Sequence, residues 1–174
     1  AILETIIAQM QDIDPDLPLC VLSRTPEKTR QRYRIDAVQT FNVPAFWRRM
    51  RHTALYLSGG GSLIQDVTSA RSLLYYLFNI LCAKAAGNRV LMYGCGIGPV
   101  SRPSGRRRAA RVISRDVDLI TLREEASAKE LAEMGVHGPE IRITADPALL
   151  LEPAPADEVE SFLLASGLDP AGRY

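Results

Sequence analysis

The apolar run Ala54-Leu55-Tyr56-Leu57 stops in three consecutive glycines, Gly59, Gly60 and Gly61, ahead of a long apolar segment with helical spacing at residues 67–86. A strand that gives way to glycines before a helix leaves backbone N–H groups uncovered and leaves room for a ligand to reach them. Such amides, with the positive end of the helix dipole behind them, suit a phosphate or a carboxylate. Taken alone, the same residues would also make a tight strand-to-helix turn that needs glycine for positive φ. They do not stand alone.

A second glycine cluster follows the next strand: residues 89–93 run into Gly94, Gly96 and Gly98. The spacing is G-x-G-x-G and Pro99 blocks direct entry into a helix, so this is not the dinucleotide-binding fingerprint. Residues 118–122 form an apolar strand ending at Arg123-Glu124-Glu125, and residues 141–144 end at Ala145-Asp146-Pro147. In an open parallel sheet these ends share one edge, and that edge is where ligands bind. Further strands are expected at residues 19–23 and 35–40. Helices are expected at 26–33, 43–52, 104–116, 124–134 (closed by Gly135) and 155–165. Strands alternating with helices of these lengths predict a Rossmann-like α/β fold, a parallel sheet with helices on both faces.

Ala1 to Met10 opens the chain with Ile2, Leu3, Ile6, Ile7 and Met10 on one helical face. A helix at this point of an α/β chain predicts a strand before it. Residues 1–166 are therefore expected to form one domain lacking its first strand, with the turn-rich residues 167–174 beginning a linker to a second domain. The 174 residues are 47% hydrophobic and 24% charged, ordinary for a globular chain with a real core. A formal net charge of +1 gives no general reason to expect nucleic acid. Cys20, Cys82 and Cys95, odd in number and far apart, fit reduced thiols in the cytoplasm better than a disulfide framework. No signal-peptide pattern opens the chain. The most lipid-like stretch, residues 72–86, holds Asn79 and Lys84 and is too short to span a bilayer; it reads as a buried helix.

Five ordered segments carry a more specific signal: SGGGSLIQD at 58–66, TSARSLLYYL at 68–77, YGCGIGPV at 93–100, ITLREEAS at 120–127 and TADPA at 144–148. Together they resemble the bacterial polysaccharide pyruvyl transferase family, strongly from about Thr53 to Leu151 and weakly over Cys20 to Arg51. Cys95 departs from the family pattern, in which many members have Gln there, so no role is implied for its side chain. The resemblance implies the N-terminal half of a GT-B-like enzyme with two Rossmann-type domains. It further implies transfer of the enolpyruvyl unit of phosphoenolpyruvate to a hexose of a cell-wall or exopolysaccharide precursor. The product is a cyclic ketal, and phosphate is released. The general acid is then expected in the absent C-terminal half, and these residues alone are expected to be inactive. Phosphoenolpyruvate is the donor substrate, no cofactor or metal is implied, and the acceptor glycan would in some cases be lipid-linked.

Such chemistry needs a clamp for two anions, a proton for the methylene carbon, and a held acceptor. Arginine forks and glycine-loop amides are the natural clamp. Arg123, at the end of its strand, is the leading candidate; otherwise it pairs with Glu124, Glu125 or another carboxylate. Arg71 lies in the first turns of a helix, where its charge opposes the dipole unless an anion or solvent offsets it. Gly59, Gly60, Gly61, Ser62, Gly96 and Gly98 complete the expected substrate-binding set, with Gln65 as a further hydrogen-bonding group. Thr68, Ser69 and Asp66 read as helix caps, and Asp146 as a turn-forming residue that could touch substrate.

Arg106, Arg107, Arg108, Arg111 and Arg115 form a basic helix whose outer arc is solvated, with attraction to an anionic inner membrane face as its one suggested contact. His52 and His137 have no metal-ligand spacing. Two competing readings stay open. A nucleotide-sugar glycosyltransferase shares the GT-B architecture, and a glycan- or anion-binding module could keep the loops without a catalytic half.

Overall fold

The computed structural model describes residues 2–67, 69–169 and 171–172. Ala1 and Thr68, read above as a helix start and a cap, lie outside the described residues, as do Pro170, Arg173 and Tyr174 of the expected linker. The order of elements is α1 (Ile2–Ile13), β1 (Cys20–Ser23), α2 (Pro26–Tyr33), β2 (Asp36–Gln39), α3 (Val43–Met50), β3 (Leu55–Ile64) and α4 (Ala70–Ala85). There follow β4 (Arg89–Ile97), α5 (Pro103–Asp116), β5 (Leu119–Leu122), α6 (Glu125–Met134), β6 (Glu140–Ile143), a 3₁₀ turn (Pro147–Leu150) and α7 (Ala156–Ala165).

Every strand pairing is parallel, as the strand–helix alternation requires. The ladders make two sheets: β1 with β2, and β3-β4-β5-β6 in sequence order. Parallel sheets flanked by seven helices among the described residues make a Rossmann-like α/β fold. The core sits between the four-stranded sheet and α4, α5 and α6, where Ile64, Ile80, Met92, Ile113, Ile120, Leu122 and Leu131 are fully buried. Along β4, Val90 and Met92 are fully buried while Leu91 and Tyr93 are only partly so, the period-two signature of unequally covered faces. On the less covered face Tyr93 Oη donates to Gln9 of α1 at 2.7 Å.

Asn88 ties the two halves of the chain together from a buried turn. Its Nδ2 donates to Met50 O at 2.9 Å and to Ala83 O at 3.0 Å, fastening the end of α3 to the α4–β4 connection. α4 is less buried than its composition suggests. Asn79 lies inside, but Leu74 and Phe78 are 45% and 42% exposed. Only one arc of the helix meets the sheet, and the apolar residues outside that arc face outward. No helix among the described residues is long and apolar enough to cross a membrane.

At the edge of the sheet opposite the glycines, Asp118 gathers three donors. Lys84 Nζ reaches its two oxygens at 2.9 and 2.8 Å, Arg89 Nη1 lies at 3.0 Å, and the Val90 N–H at 2.8 Å. Burial by itself would raise its pKa, but these hydrogen bonds outweigh it and hold the carboxyl at about 2. A depressed carboxylate stabilises the fold above its ordinary value of 3.8, and that contribution is lost as the pH falls toward 2. Asp118→Asn should therefore be less stable than the parent at pH 7, and the difference should close between about pH 4 and pH 2. Urea-unfolding midpoints of the two proteins across that range check it. A gap that persists at pH 2 would mean that the loss came from packing.

Candidate functional site

β3 and β4 run farther than their apolar segments do. The glycines expected in loops are strand residues: Gly59 pairs with Tyr93, Gly61 with Cys95 and Ser62 with Gly96, and a register shift follows before Ile64 meets Ile97. Glycine lowers strand propensity, but the two clusters lie side by side and hydrogen-bond each other, which outweighs it. In the second cluster and its continuation the amides have partners. Gly94 N–H donates to Thr121 Oγ1 at 2.7 Å, Ile97 N–H to Ser127 Oγ at 2.8 Å and Gly98 N–H to Ile64 O at 2.7 Å.

The glycines serve close approach instead. Gly60 has φ +69°, and a Cβ there would collide with Ile2 of α1. Gly94 has φ +55° and would drive a Cβ into the ring of Pro147. At Gly98, beside Pro99, the neighbour is Glu130, which holds Arg106 Nη1 at 2.6 Å.

Arg123 gathers the strand ends. It follows Leu122 directly, and its backbone N–H donates to Cys95 O at 3.3 Å. Its guanidinium spans three elements, with Nη1 on Asp146 Oδ2 at 2.9 Å and Nη2 on Ser62 Oγ at 3.1 Å. Glu124 Oε1 stands farther off, 3.8 Å from Nε. A Cβ at position 96 would lie 3.1 Å from Nη2 and 3.2 Å from Nε, so glycine there lets the guanidinium lie close against β4. The Nε–Nη2 edge presents two parallel N–H donors, the fork that matches a carboxylate or a phosphate.

Asp146 fixes the opposite side of this fork. Its Oδ1 accepts the Ala148 N–H at 2.9 Å, capping the 3₁₀ turn, while Oδ2 holds Arg123. The Ala148 N–H first, then the arginine against some desolvation, depresses its pKa. The carboxylate thus stays ionised and orients Arg123 at neutral pH.

A second carboxylate, Asp66, joins the loops after β3 and β4. It accepts the Ser101 N–H at 2.8 Å and the Arg102 N–H at 3.1 Å, and these bonds lower its pKa. It was expected to cap α4, but α4 begins at Ala70 and Ser69 caps it, its Oγ accepting the Arg71 N–H at 3.1 Å.

Arg123, Ser62 and Gly96 therefore come together, with Asp146 added. Gly59, Gly60, Gly61 and Gly98 shape the surrounding strands. Gln65 folds back onto its own loop, its Oε1 accepting the Val67 N–H at 2.8 Å. Arg71 is exposed on the first turn of α4. Thr121 and Ser127 were missed as acceptors for the Gly94 and Ile97 amides, since nothing in an apolar strand or at a helix start marks a hydroxyl as aimed at the neighbouring strand. Cys95 is fully buried; desolvation pushes its thiol up to about 12, and Sγ lies 3.7 Å from Thr121 O. Among the described residues no group of three or more His, Cys, Asp or Glu side chains could hold a metal ion.

Comparison with known proteins gives one family. The model described as polysaccharide pyruvyl transferase matches residues 1–173, essentially the whole chain. Neither the curated proteins nor the solved structures contain a match to it.

Proposed function

Because this chain belongs to the polysaccharide pyruvyl transferase family, we propose that it binds phosphoenolpyruvate and takes part in moving the enolpyruvyl unit onto a hexose of a cell-wall or exopolysaccharide precursor. The observation that carries this reading is the Arg123 fork gathered at the strand ends beside Gly96, with Nη2 on Ser62 and Nη1 held by Asp146. That fork suits the donor's carboxylate, and the Ser62 hydroxyl can rotate from guanidinium to ligand. Asp146 keeps the fork oriented in the absence of substrate, which limits the ordering cost of binding.

In the proposed reaction a proton adds to the methylene carbon of the donor, and a sugar hydroxyl attacks the cationic carbon so formed. A second hydroxyl then displaces phosphate, closing the ketal. The atoms balance: donor plus diol gives ketal plus phosphate. In this reading Arg123 binds and orients the donor. The proton donor is proposed to belong to the second Rossmann-type half that a GT-B-like enzyme would supply.

A phosphate-release assay on the product of the open reading frame that encodes this sequence tests the proposal. Phosphate should appear from phosphoenolpyruvate only when a hexose-containing acceptor is present, and Gly96→Ala should suppress it by pressing on Arg123. Transfer from a nucleotide sugar instead would favour a glycosyltransferase. Binding without turnover would favour an anion- or glycan-binding module.

A further inference from the structure

Two neighbouring helices give the domain a surface on which cations and bare hydrophobic side chains lie together. α4 and α5 pack side by side, with Leu73 of α4 against the backbone at Gly105 of α5. On α5, Ser104, Arg107, Arg108 and Arg111 follow i, i+3, i+4, i+7 spacing and line a shallow concavity of about 200 Å³. Among the described residues these three guanidiniums have no carboxylate partner. Their neighbours on the same helix do: Arg106 is held by Glu130 at 2.6 Å and Arg115 by Asp116 at 3.0 Å. The basic surface is therefore narrower than the whole run from Arg106 to Arg115.

α4 extends that surface with apolar groups. It contains no Asp or Glu, so no carboxylate on it faces the arginines. Leu74 and Phe78, one turn apart on its outer arc, are exposed. Measured round each helix from the contact of Leu73 with position 105, both the Leu74–Phe78 stripe and the Arg108–Arg111 stripe border the outer side of the seam. Inorganic phosphate or a nucleic-acid backbone would use the arginines and gain nothing from Leu74. A bilayer uses both: cations at the lipid phosphates, and Leu and Phe at the acyl boundary.

We propose that the α4–α5 seam, through Arg107, Arg108, Arg111, Leu74 and Phe78, docks the domain on an anionic lipid surface. Sedimentation of the purified chain with phosphatidylcholine vesicles, with and without phosphatidylglycerol, tests it. Binding should require phosphatidylglycerol and weaken with salt. Replacing the three arginines by Gln should weaken it about a hundredfold. Leu74→Ser/Phe78→Ser should weaken it severalfold at constant charge. All five side chains are outside the core, so thermal melts should stay close to the parent's. Equal binding to neutral vesicles would overturn the proposal. So would an unaffected apolar variant, which would leave only a polyanion site, or a triple variant that binds as tightly as the parent.

Discussion

Arg123→Lys should lower affinity for phosphoenolpyruvate by about one to two orders of magnitude. A charge-assisted hydrogen bond is worth about 1.5–3 kcal/mol, and lysine keeps the charge while losing the fork. Arg123→Ala should be worse. The side chain also ties Ser62 to Asp146 while 28% exposed, so a stability loss of about 1 kcal/mol should accompany either change. Gly96→Ala separates the two effects. It leaves every partner of Arg123 in the sequence, but its Cβ would press on Ser62 Oγ at 2.9 Å as well as on Nη2 and Nε. Titration calorimetry beside thermal melts should show lost binding in all three variants. Donor binding at parental strength in Arg123→Lys, with a large fall in melting temperature, would make Arg123 a structural ion-pair residue.

Gly94→Ala should damage the domain severely. Its φ of +55° is strained for any residue with a Cβ, and the added carbon would overlap the ring of Pro147. Left-handed backbone costs about 1–2 kcal/mol and overpacking about 1–3 kcal/mol. The sum predicts a fall in melting temperature of about 10 °C for a domain of this size. Pro147 follows Asp146, so the orientation of Arg123 should suffer as well, and donor affinity with it. Gly135→Ala is the control. Its φ is +80°, yet nothing lies within 4 Å of the added carbon, so it should show the conformational cost alone. Equal losses in the two variants would mean that the contact with Pro147 is unimportant.

The alternation of strands and helices was legible because each apolar run is short, bounded, and followed by a periodic segment of helical length. The exposed arc of α5 was legible for the same reason: Arg107, Arg108, Arg111 and Arg115 are exposed while Ala109, Val112 and Ile113 are buried. The ends of β3 and β4 were not. Glycine carries no hydrophobic signal, so a strand continuing through Gly59 to Ser62 looks like a loop. Only its pairing with an equally glycine-rich neighbour reveals it. Arg123 was found from its place at a strand end, but not its partners Ser62 and Asp146. Ser62 is 61 residues away in the chain and Asp146 is 23, contacts that no local pattern encodes.

The most direct measurement is the mass of the acceptor after incubation of the full-length protein with phosphoenolpyruvate and a hexose-containing glycan. The acceptor should gain one pyruvate less one water, with one phosphate released per ketal formed, and the product should disappear with Arg123→Ala. An acceptor of unchanged mass beside intact donor, or one that gains a hexose from a nucleotide sugar, would contradict the assignment of pyruvyl transfer to this site.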